Sequence, residues 1–367
     1  LTYDMDKQFN QAGGSYIFLN KDWLGGLMQG AIPSTNIMPE TDYKADLGVE
    51  FGMFDNSLMF QLEGFYNNRK NIACDGSETV SEVLGVGVPI IFTGETVNYG
   101  AELSATWRKT IGDFTYSIGG NVSYSKNRIV EAAEGHVPYE WQRIAGTQIG
   151  EMYGYEPVGF YQQEDFNADG SLKEGVPASG LISTLRPGDV KYNDLNEDGI
   201  IDENDAKYHG VSYWPSLYYG INIGMEYKNF GFQAMFQGAG NFMVYTNLAN
   251  VYQPLYNNDK NISKHYLENY WSAQSPQGRY PRLTTESNAH NYANSPVWWE
   301  RGDYLKLRNL YVWYDFGQYI DKIDSFRLFF RGNNLFSIDN VKIMDPEHVS
   351  LAYPTTRSFQ LGLKLTF

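Results

Sequence analysis

The sequence predicts an all-β fold, an antiparallel transmembrane β-barrel, on three observations. Apolar and polar side chains alternate with a period of two along about nine segments, the pattern of strands with two different faces. Each segment is roughly 9 to 14 residues long, the length of a tilted strand that crosses a bilayer. Short and long connections alternate strictly along the chain, as in outer-membrane barrels. The alternative fold is a soluble β-protein. Such a protein has no reason to keep all its long loops at one end.

Composition excludes several other classes. The 367 residues include 29 Tyr, 21 Phe, 8 Trp and 37 Gly, with a net charge of −15 and a mean hydropathy of −0.44. No run approaches the ~18 to 20 apolar residues of a membrane-spanning helix. The many aromatic residues argue against a disordered acidic chain, and the excess of acid over base argues against a nucleic-acid partner. Cys74 is the single cysteine, so no intramolecular disulfide is expected.

The first half of the chain contains four predicted strands. Their apolar positions are Leu47, Val49, Phe51 and Met53; Leu58, Phe60 and Leu62; Ala101, Leu103, Ala105 and Trp107; and Phe114, Tyr116, Ile118 and Val122. The positions between them are mostly occupied by glycine, hydroxyl, amide and carboxylate residues. Small and charged side chains on one face of a long strand suit a water-filled interior better than a packed core.

The second half of the chain contains five more predicted strands. Their apolar positions are Leu217, Tyr219, Ile221, Ile223 and Met225; Phe230, Phe232, Ala234 and Phe236; Leu305 and Leu307; Phe326, Leu328 and Phe330; and Phe359, Leu361, Leu363, Leu365 and Phe367. Asn309 interrupts the alternation after Leu307 and predicts a β-bulge. The last strand is the clearest, because Gln360, Gly362 and Lys364 occupy its other face.

The connections give the predicted organisation. Short turns fall near 55–57, 110–113 and Asn229, and a slightly longer one at 317–324. The predicted long external loops are 69–97, 127–212, 242–302 and 337–354. Residues 1–44 are predicted to be an extracellular segment that leads into the barrel, and residues 45–367 to be its C-terminal part. An odd strand count with two open edges implies further strands, since bacterial barrels have even numbers and must close.

Several segments, in their order along the chain, resemble one family: the SusC-like TonB-dependent transporters of Bacteroidetes outer membranes. The segments are Ile32 to Asn36 with Glu40, Thr41 and 45–51; 98–103; 121–127; 150–155 with Gly159 and Phe160; 188–205; 304–310; 331–336; 345–347; and Phe367. The resemblance implies a 22-stranded barrel with an N-terminal plug, energised through TonB and capped by a SusD-like lipoprotein. In that frame the chain is the C-terminal barrel portion, without the plug and the early strands.

An acidic loop fits the twelve-residue calcium-binding pattern. Oxygen-bearing residues stand at positions one, three, five, nine and twelve, a glycine stands at six, and position seven offers a backbone carbonyl. The predicted calcium ligands are Asp194, Asn196, Asp198, Ile200, Asp202 and Asp205. The closing position is usually glutamate, and aspartate is shorter. A solvated Asp/Asn/Gly-rich turn is the alternative, but four closely spaced acids would repel one another without a cation.

Other constellations point away from chemistry. A second, partial calcium pattern at 165–170 lacks a closing carboxylate, so we interpret it as a plain Asx-type turn. The five histidines are scattered, without a zinc-site spacing, and no nucleophile elbow or phosphate loop is present. No enzymatic activity is therefore predicted.

Aromatic residues cluster in the long loop at 242–302. They are Tyr252, Tyr256, Tyr266, Tyr270 and Trp271, followed by Trp298 and Trp299. Aromatic rings suit sugars, protein interfaces and membrane-interface girdles. For Trp298, Trp299 and Tyr314, near strand ends, we expect a girdle or rim position. For the mid-loop residues, contact with a lipoprotein or substrate and packing within the loop are both open.

The resemblance implies TonB-dependent import of a nutrient oligomer across the bacterial outer membrane, with a SusD-like lipoprotein as partner and no nucleic acid. An oligosaccharide is the expected cargo, because the loops are rich in aromatic residues and glycan systems dominate the family. The alternatives are an oligopeptide importer, a surface adhesin or glycan-binding barrel without transport, and a soluble β-rich glycan-binding module.

Overall fold

The computed structural model describes residues 9–18, 22–29, 32, 34, 37–80, 83, 88–247, 261–317, 324–348 and 353–366. The strands in this part of the chain are β1 Phe9–Phe18, β2 Asp22–Gln29, β3 Thr41–Met53, β4 Leu58–Asp75, β5 Ile90–Ile111, β6 Phe114–Glu131, β7 Glu151–Tyr155, β8 Pro157–Phe160, β9 Ala178–Ser179, β10 Val190–Tyr192, β11 Ile200–Ile201, β12 Ala206–Ser212, β13 Leu217–Tyr227, β14 Phe230–Gly240, β15 Met243–Tyr245, β16 Trp299–Arg301, β17 Tyr304–Asp315, β18 Ser325–Asp339 and β19 Ser358–Thr366. One short α-helix, α1, covers Lys264–Asn269.

The nine predicted strands form one sheet, in the order β19-β18-β17-β14-β13-β6-β5-β4-β3. The all-β prediction and the number of strands are therefore confirmed. The ladders from β6 to β19 are antiparallel. Among the described residues, no helix combines the length and the apolar character needed to cross a membrane.

The register of the ladders separates two faces. One row across six strands consists of Gln360, Arg331, Tyr311, Gln233, Gly224 and Ser117. We call the face that carries this row the polar face, and the opposite one the apolar face. Leu361 on the apolar face is 76% exposed and pairs with Phe330, which pairs with Val312. Because neighbouring strands keep the same alternation, each face is continuous across the sheet.

Glycine makes room for a large ring on the polar face. Gly231 lies opposite Trp313, and a Cβ atom built on Gly231 would come within 1.9 Å of the indole. The indole also stacks on Tyr311, with ring centroids 4.9 Å apart, and Arg327 lies over it at 5.3 Å. Any larger residue at position 231 would displace the ring, so this glycine is fixed by packing.

The short turns lie where the sequence predicts them. Between β3 and β4, Phe54, Asp55 and Asn56 all have positive φ angles of 55 to 61°. Gly112 (φ 60°) and Lys228 (φ 50°) stand in the next two hairpin turns. Left-handed backbone matches the twist of paired strands, which is why tight hairpins use it. Most of the fourth turn, 318–323, lies outside the described residues.

The predicted bulge at Asn309 is confirmed. The register between β17 and both of its neighbours shifts between Leu307 and Asn309. The extra residue is Arg308, whose Nε donates to Gln237 Oε1 at 2.9 Å. Lys306 and Arg308 share a face as in a regular strand, and the bulge brings Asn309 to that polar face as well, which regular alternation would have turned to the other one.

Several predicted loop boundaries need correction. Residues 1–44 contain the β1–β2 hairpin and the start of β3. The predicted loop 69–97 is shorter, since β4 continues to Asp75 and β5 begins at Ile90. The period-two pattern fails there because neighbouring residues no longer alternate in polarity, as at Ile72 to Cys74 and at Ile90 to Phe92, although the backbone pairing continues.

The loop 337–354 is also shorter, because β18 continues to Asp339. The loops 127–212 and 242–302 are not irregular: they hold β7 to β12, β15, β16 and α1. These elements are two to seven residues long, too short for periodicity to identify.

Contacts divide the chain into two compact units. The first comprises residues 1–45, 66–99 and 127–149. In it, Arg69 pairs with Asp42 at 3.1 Å and with Glu40 at 3.7 Å, and Tyr139 stacks on Trp141 with centroids 4.5 Å apart. The second unit comprises residues 46–65, 100–126 and 150–367, and it contains the features described next.

Candidate functional site

The most deeply buried large side chains belong to the predicted loops and not to the sheet. Those with less than 2% exposure are Trp298, Tyr161, Tyr192, Tyr266, Tyr280, Ile201, His290, Val190, Asn291, Thr246 and Asp189. All come from two segments of the second unit, 150–212 and the described part of 242–302. We call these segments the loop assembly. They fold into a packed body with its own core.

Stacked aromatic rings form the largest part of this core. Tyr266 stacks on Tyr280 with ring centroids 4.8 Å apart and an interplanar angle of 13°. Tyr280 in turn stacks on Trp298 at 5.6 Å. The phenol of Tyr266 donates to Pro281 O at 3.0 Å, so its polar group is satisfied in the interior. Of the two possibilities for the mid-loop aromatics, packing is the one observed for Tyr266.

The predicted girdle position of Trp298 and Trp299 is wrong. Their side chains are 0% and 5% exposed within the loop assembly. Trp298 Nε1 donates to Asn291 O and Trp299 Nε1 to Asn294 Oδ1, each at 2.8 Å. Nearness to a strand end misled the prediction, because the chain is still in the loop core at Trp298 and Trp299 and enters the large sheet only at β17. Tyr252 and Tyr256 lie outside the described residues.

A buried carboxylate joins distant parts of the loop assembly. Asp189 is fully buried, and its Oδ1 accepts from Arg282 Nε at 2.7 Å and from Asn291 Nδ2 at 2.8 Å. Asn288 Nδ2 donates to the same oxygen at 3.3 Å, and the backbone N–H of Arg186 donates to Oδ2 at 2.8 Å. A buried charge is tolerated only with this degree of pairing. Asp189 belongs to the Gly188–Asp194 motif of the family resemblance, but no role for it was predicted from the sequence.

His290 makes a second long-range connection. Its Nε2 lies 2.6 Å from Val190 O and its Nδ1 lies 2.9 Å from Ser179 Oγ. A carbonyl oxygen only accepts, so Nε2 carries the proton and Nδ1 accepts from the serine. Ser179 Oγ also accepts from the backbone N–H groups of Leu181 and Ile182. Burial lowers the pKa of His290, although Val190 O and Asp189 oppose the shift.

We predict from His290 that acid loosens the loop assembly. The folded state depresses the pKa of His290 below its ordinary value near 6.5. Its stabilising contribution is therefore complete above that value and is lost as pH falls through the folded pKa. Hydrogen exchange, corrected for intrinsic rates, should show weaker protection of residues 179–182 and 190–192 at about pH 5.5 than at about pH 7.5. The variant His290→Gln should lack this difference, and equal protection at both pH values in the parent protein would contradict the prediction.

Hydrogen bonds between backbone N–H groups and side-chain oxygens shape the acidic loop at 194–205. Asp194 accepts from the N–H groups of Asp198 (3.3 Å) and Gly199 (2.8 Å), and Gly199 has a φ of 84°. Asp198 Oδ1 accepts from Ile200 N at 2.9 Å, and Asn196 Nδ2 donates to Asp198 Oδ2 at 2.9 Å. These bonds bring four of the six predicted ligand positions together.

Position seven presents its carbonyl to the same side. The neighbouring carbonyls of Gly199 and Ile201 accept hydrogen bonds from Ala178 N and Gly180 N in the paired segment at β9. In an extended segment the N–H and C=O of one residue point the same way. Since the Ile200 N–H points to Asp198, the Ile200 carbonyl faces the loop carboxylates, as the calcium pattern requires.

The last two predicted ligands have other partners. Asp202 Oδ1 accepts from Asn204 N at 2.8 Å. Asp205 is fully buried, and its two oxygens accept from Leu195 N (2.8 Å) and Asp202 N (2.9 Å). Burial raises the pKa of Asp205 despite these bonds, and the nearby Asp194 contributes. Within the described residues, no three His, Cys, Asp or Glu side chains are grouped closely enough to hold a metal ion.

The partial pattern at 165–170 has the geometry of turns. Asp169 Oδ1 accepts from the Ser171 N–H at 3.0 Å, an Asx-type bond. Asp165 pairs with Lys191 Nζ at 2.9 Å. A side-chain cation therefore already balances the charge of this carboxylate.

Four charged residues anchor the 337–354 loop on the polar face. We call Lys306, Arg308, Asp345 and Glu347 the β17 ion cluster. Lys306, with a side-chain exposure of 4%, bonds to Asp345 and lies 2.7 Å from Glu347. Arg308 also bonds to Glu347. Burial by itself would raise the pKa of Asp345 and of Glu347. Hydrogen bonds, first of all those from Lys306, outweigh this effect, so the pKa of each carboxyl group is lowered.

The ion cluster unites two motifs that the sequence could only place in order. Tyr304, Lys306 and Arg308 belong to the motif at 304–310, and Asp345 and Glu347 to the motif at 345–347. Tyr304 Oη donates to Glu347 Oε1 at 2.9 Å. The signal that was available in the sequence is charge complementarity between the two motifs. It does not identify partners, because many other acids and bases are equally spaced.

Comparisons with known proteins agree on one family. No protein-family profile matches the chain. The TonB-dependent receptor P3 of Formosa agariphila is 27% identical over 96% of this chain and 36% of its own length. The TonB-dependent receptor P26 of the same organism is 24% identical over 93% of this chain and 36% of its own length. The chain thus spans about a third of these curated relatives.

Solved structures show the same architecture. The RagAB peptide importer in its open-open state superposes with a TM-score of 0.72 over 100% of this chain and 38% of that one, at 16% identity. Its closed-closed state gives 0.68 over 99% and 39%, at 17% identity. The chain is a partial β-barrel that resembles the C-terminal barrel portion of SusC-like TonB-dependent receptors. The resemblance inferred from the motifs is confirmed, and the nine-stranded sheet of this SusC-like chain corresponds to part of the larger barrel. The relatives are named as receptors and the solved neighbours as importers, not as enzymes.

Proposed function

We propose that the protein containing this chain is a TonB-dependent importer of a nutrient oligomer in the bacterial outer membrane. The observation that carries the proposal is the match to TonB-dependent receptors over nearly the whole chain. The exposed apolar residues of β19 and β3 fit this location, because an aqueous surface rarely carries so large an apolar area. In a bilayer the same side chains contact lipid.

The proposed partners are TonB and a SusD-like surface lipoprotein. TonB would act through the plug, a region of the relatives that this chain does not match. The lipoprotein would cover the external side, where the loop assembly lies if the long connections are extracellular. Support comes from the solved neighbours, which are named as the RagAB peptide importer in open-open and closed-closed states. At 16% identity these neighbours show a shared fold, and the partner of this chain is our inference from it.

The proposed cargo is an oligosaccharide. Aromatic side chains are abundant in the loops, and flat rings bind the apolar faces of sugars. An oligopeptide is the competing cargo, since RagAB is named as a peptide importer. An adhesin that binds a glycan without moving it is the competing function.

Uptake measurements in the native bacterium test the proposal. Cells should accumulate labelled neutral oligosaccharides, and deletion of this gene or of tonB should abolish accumulation. The control is a strain in which the deleted gene is restored. Accumulation of labelled peptides but not of sugars would show that the cargo is an oligopeptide. Surface binding of sugar that persists without tonB, with no accumulation in either strain, would support an adhesin and contradict import.

We also propose that the 194–205 loop binds one structural Ca²⁺. The ligands would be Asp194, Asn196, Asp198, the Ile200 carbonyl and Asp202, with Asp205 joining when its two backbone bonds open. A divalent cation would offset the burial and the like charge that raise the pKa of Asp205. The chemistry supplied is charge neutralisation and ordering of the loop, not catalysis.

Calorimetry of the chelator-treated full-length protein should show one saturable calcium site in this loop. The double variant Asp194→Asn with Asp198→Asn should lose it, since two of the charged ligands are gone. Asp169→Asn, in the neighbouring acidic turn, is the matched control and should bind as the parent does. Absence of any binding heat at saturating calcium, with anomalous scattering also negative, would refute the site.

A further inference from the structure

A cavity of about 270 Å³ opens beside the β17 ion cluster. Its lining comes from the β12–β13 connection and the start of β13, from β14, β15 and the connection between them, from the start of β17 and from the 337–354 loop. The lining residues are Tyr213, Trp214, Pro215, Tyr218, Gln237, Phe242, Met243, Val244, Tyr304, Pro346, Glu347 and His348. Five of the twelve are aromatic, in the mixture of apolar walls and few polar groups that is typical of small-ligand sites.

The aromatic walls are open and held in position. Trp214 and Tyr218 are 51% and 45% exposed, whereas Phe242 and Tyr304 form a buried base. Trp214 packs against Tyr213 with centroids 5.1 Å apart. Its indole also lies so close to Gly150 that a Cβ there would be 2.6 Å from Cδ1. The contacts with Tyr213 and Gly150 restrict the indole, so a ligand that stacks on its exposed part loses little side-chain entropy.

The cavity carries no unbalanced fixed charge among its described lining residues. Glu347 is the one permanently charged group in this lining. The two cations Lys306 and Arg308 balance the two carboxylates Glu347 and Asp345. A ligand with a charged terminus or an anionic substituent would lose its hydration without gaining an opposite charge. The site therefore favours a neutral ligand.

The lining also favours a ring over a peptide backbone. An extended peptide that binds through its backbone adds a strand to an exposed sheet edge, with backbone hydrogen bonds along its length. Here the walls are side-chain rings, and the rim includes the hydrogen-bonding side chains of Gln237, Glu347 and His348. The apolar face of a sugar ring carries C–H groups that match the negative face of an aromatic ring, and its hydroxyl groups match such a rim.

We propose that this cavity is a subsite for one uncharged sugar ring of the imported oligosaccharide. The ring stacks on Trp214 and Tyr218, and its hydroxyl groups bond to Gln237, Glu347 and His348. This assignment rests on the proposed function, since it locates the cargo that the proposed function names. The β17 ion cluster then has a second effect, because it holds Glu347 at the rim while cancelling its charge.

Calorimetry on the purified full-length protein in detergent tests the subsite. The probes are neutral hexasaccharides of different linkage, sulfated hexasaccharides and uncharged hexapeptides. We expect binding of at least one neutral sugar and roughly tenfold weaker binding by Trp214→Ala or Tyr218→Ala. Trp214→Phe should keep most of the affinity, because it keeps a flat ring. Trp141→Ala, which removes a stacked tryptophan in the first unit, is the matched control and should bind as the parent does.

Three results would overturn the assignment. They are unchanged sugar affinity in both Trp214→Ala and Tyr218→Ala, equal loss in Trp141→Ala, and Trp214-dependent binding of the peptides or sulfated sugars instead. Circular dichroism of each variant shows whether a loss of binding is a loss of fold. Failure here is distinct from failure of the proposed function, because binding requires no TonB. Import that is TonB-dependent but insensitive to Trp214→Ala would remove the subsite and leave the importer intact.

Discussion

Replacing Asp189 with alanine is expected to unfold the loop assembly locally while the sheet persists. The carboxylate is fully buried and binds Arg282, Asn288, Asn291 and the backbone of Arg186. Its loss leaves the Arg282 cation and two amides without their acceptor. Breaking a buried charge pair from one side typically costs about 3–5 kcal/mol. Native-state hydrogen exchange of the full-length protein measures this cost as the local opening free energy.

Two controls make the experiment specific. Glu286→Gln removes an ion pair with Arg186 at 3.6 Å, in which both side chains are more than half exposed, and it should change little. The double variant Asp189→Ala with Arg282→Met should cost less than the sum of its single variants, because no unpaired cation remains. Unchanged protection in Asp189→Ala would show that the buried network does not hold the assembly together.

Replacing Lys306 with methionine is expected to release the segment around Asp345 and Glu347 from the polar face. Lys306 is buried between these two carboxylates, and without it they repel each other with only Arg308 to pair with Glu347. A loss of about 3–5 kcal/mol in local opening free energy is again the scale for a broken buried pair. Hydrogen exchange in 340–348 reports the release directly.

The matched control is Lys342→Met, an exposed lysine in the same loop. It should leave exchange in 340–348 near the parent level. The triple variant Lys306→Met, Asp345→Asn, Glu347→Gln should recover part of the loss, because it removes the repulsion between carboxylates. Equal exchange in Lys306→Met and the parent protein would mean that Pro346 and its neighbours, and not the ion cluster, fix the segment.

Residues in the strands illustrate what a local pattern can predict. The alternation around Leu361 and around Phe330 gave the two faces, and the register then paired these residues across β18 and β19. The break at Asn309 was equally local, and it gave the bulge. Each of these inferences depends on a few consecutive residues, because side-chain direction in a strand is set by the backbone of that strand alone.

Trp298 and Asp189 illustrate what a local pattern cannot predict. The position of Trp298 beside a strand suggested a girdle, yet it stacks within the loop core against Tyr280. Asp189 meets Arg282 across 93 residues and Asn291 across 102. Among many acids and amides in one chain, sequence offers no reason to choose these partners.

The sequence by itself determined the all-β class, the number of strands in the sheet, the two faces and the resemblance to the SusC-like receptors. It determined them because strand periodicity and the order of motifs are properties of the chain read in one direction. Only the tertiary structure decided that the loops form a packed body, that β17 binds the 345–347 motif, and that aromatic residues from two connections and two strands line one cavity. These follow from contacts between segments far apart in the chain, which are fixed by ladder register and by the packing of the whole unit.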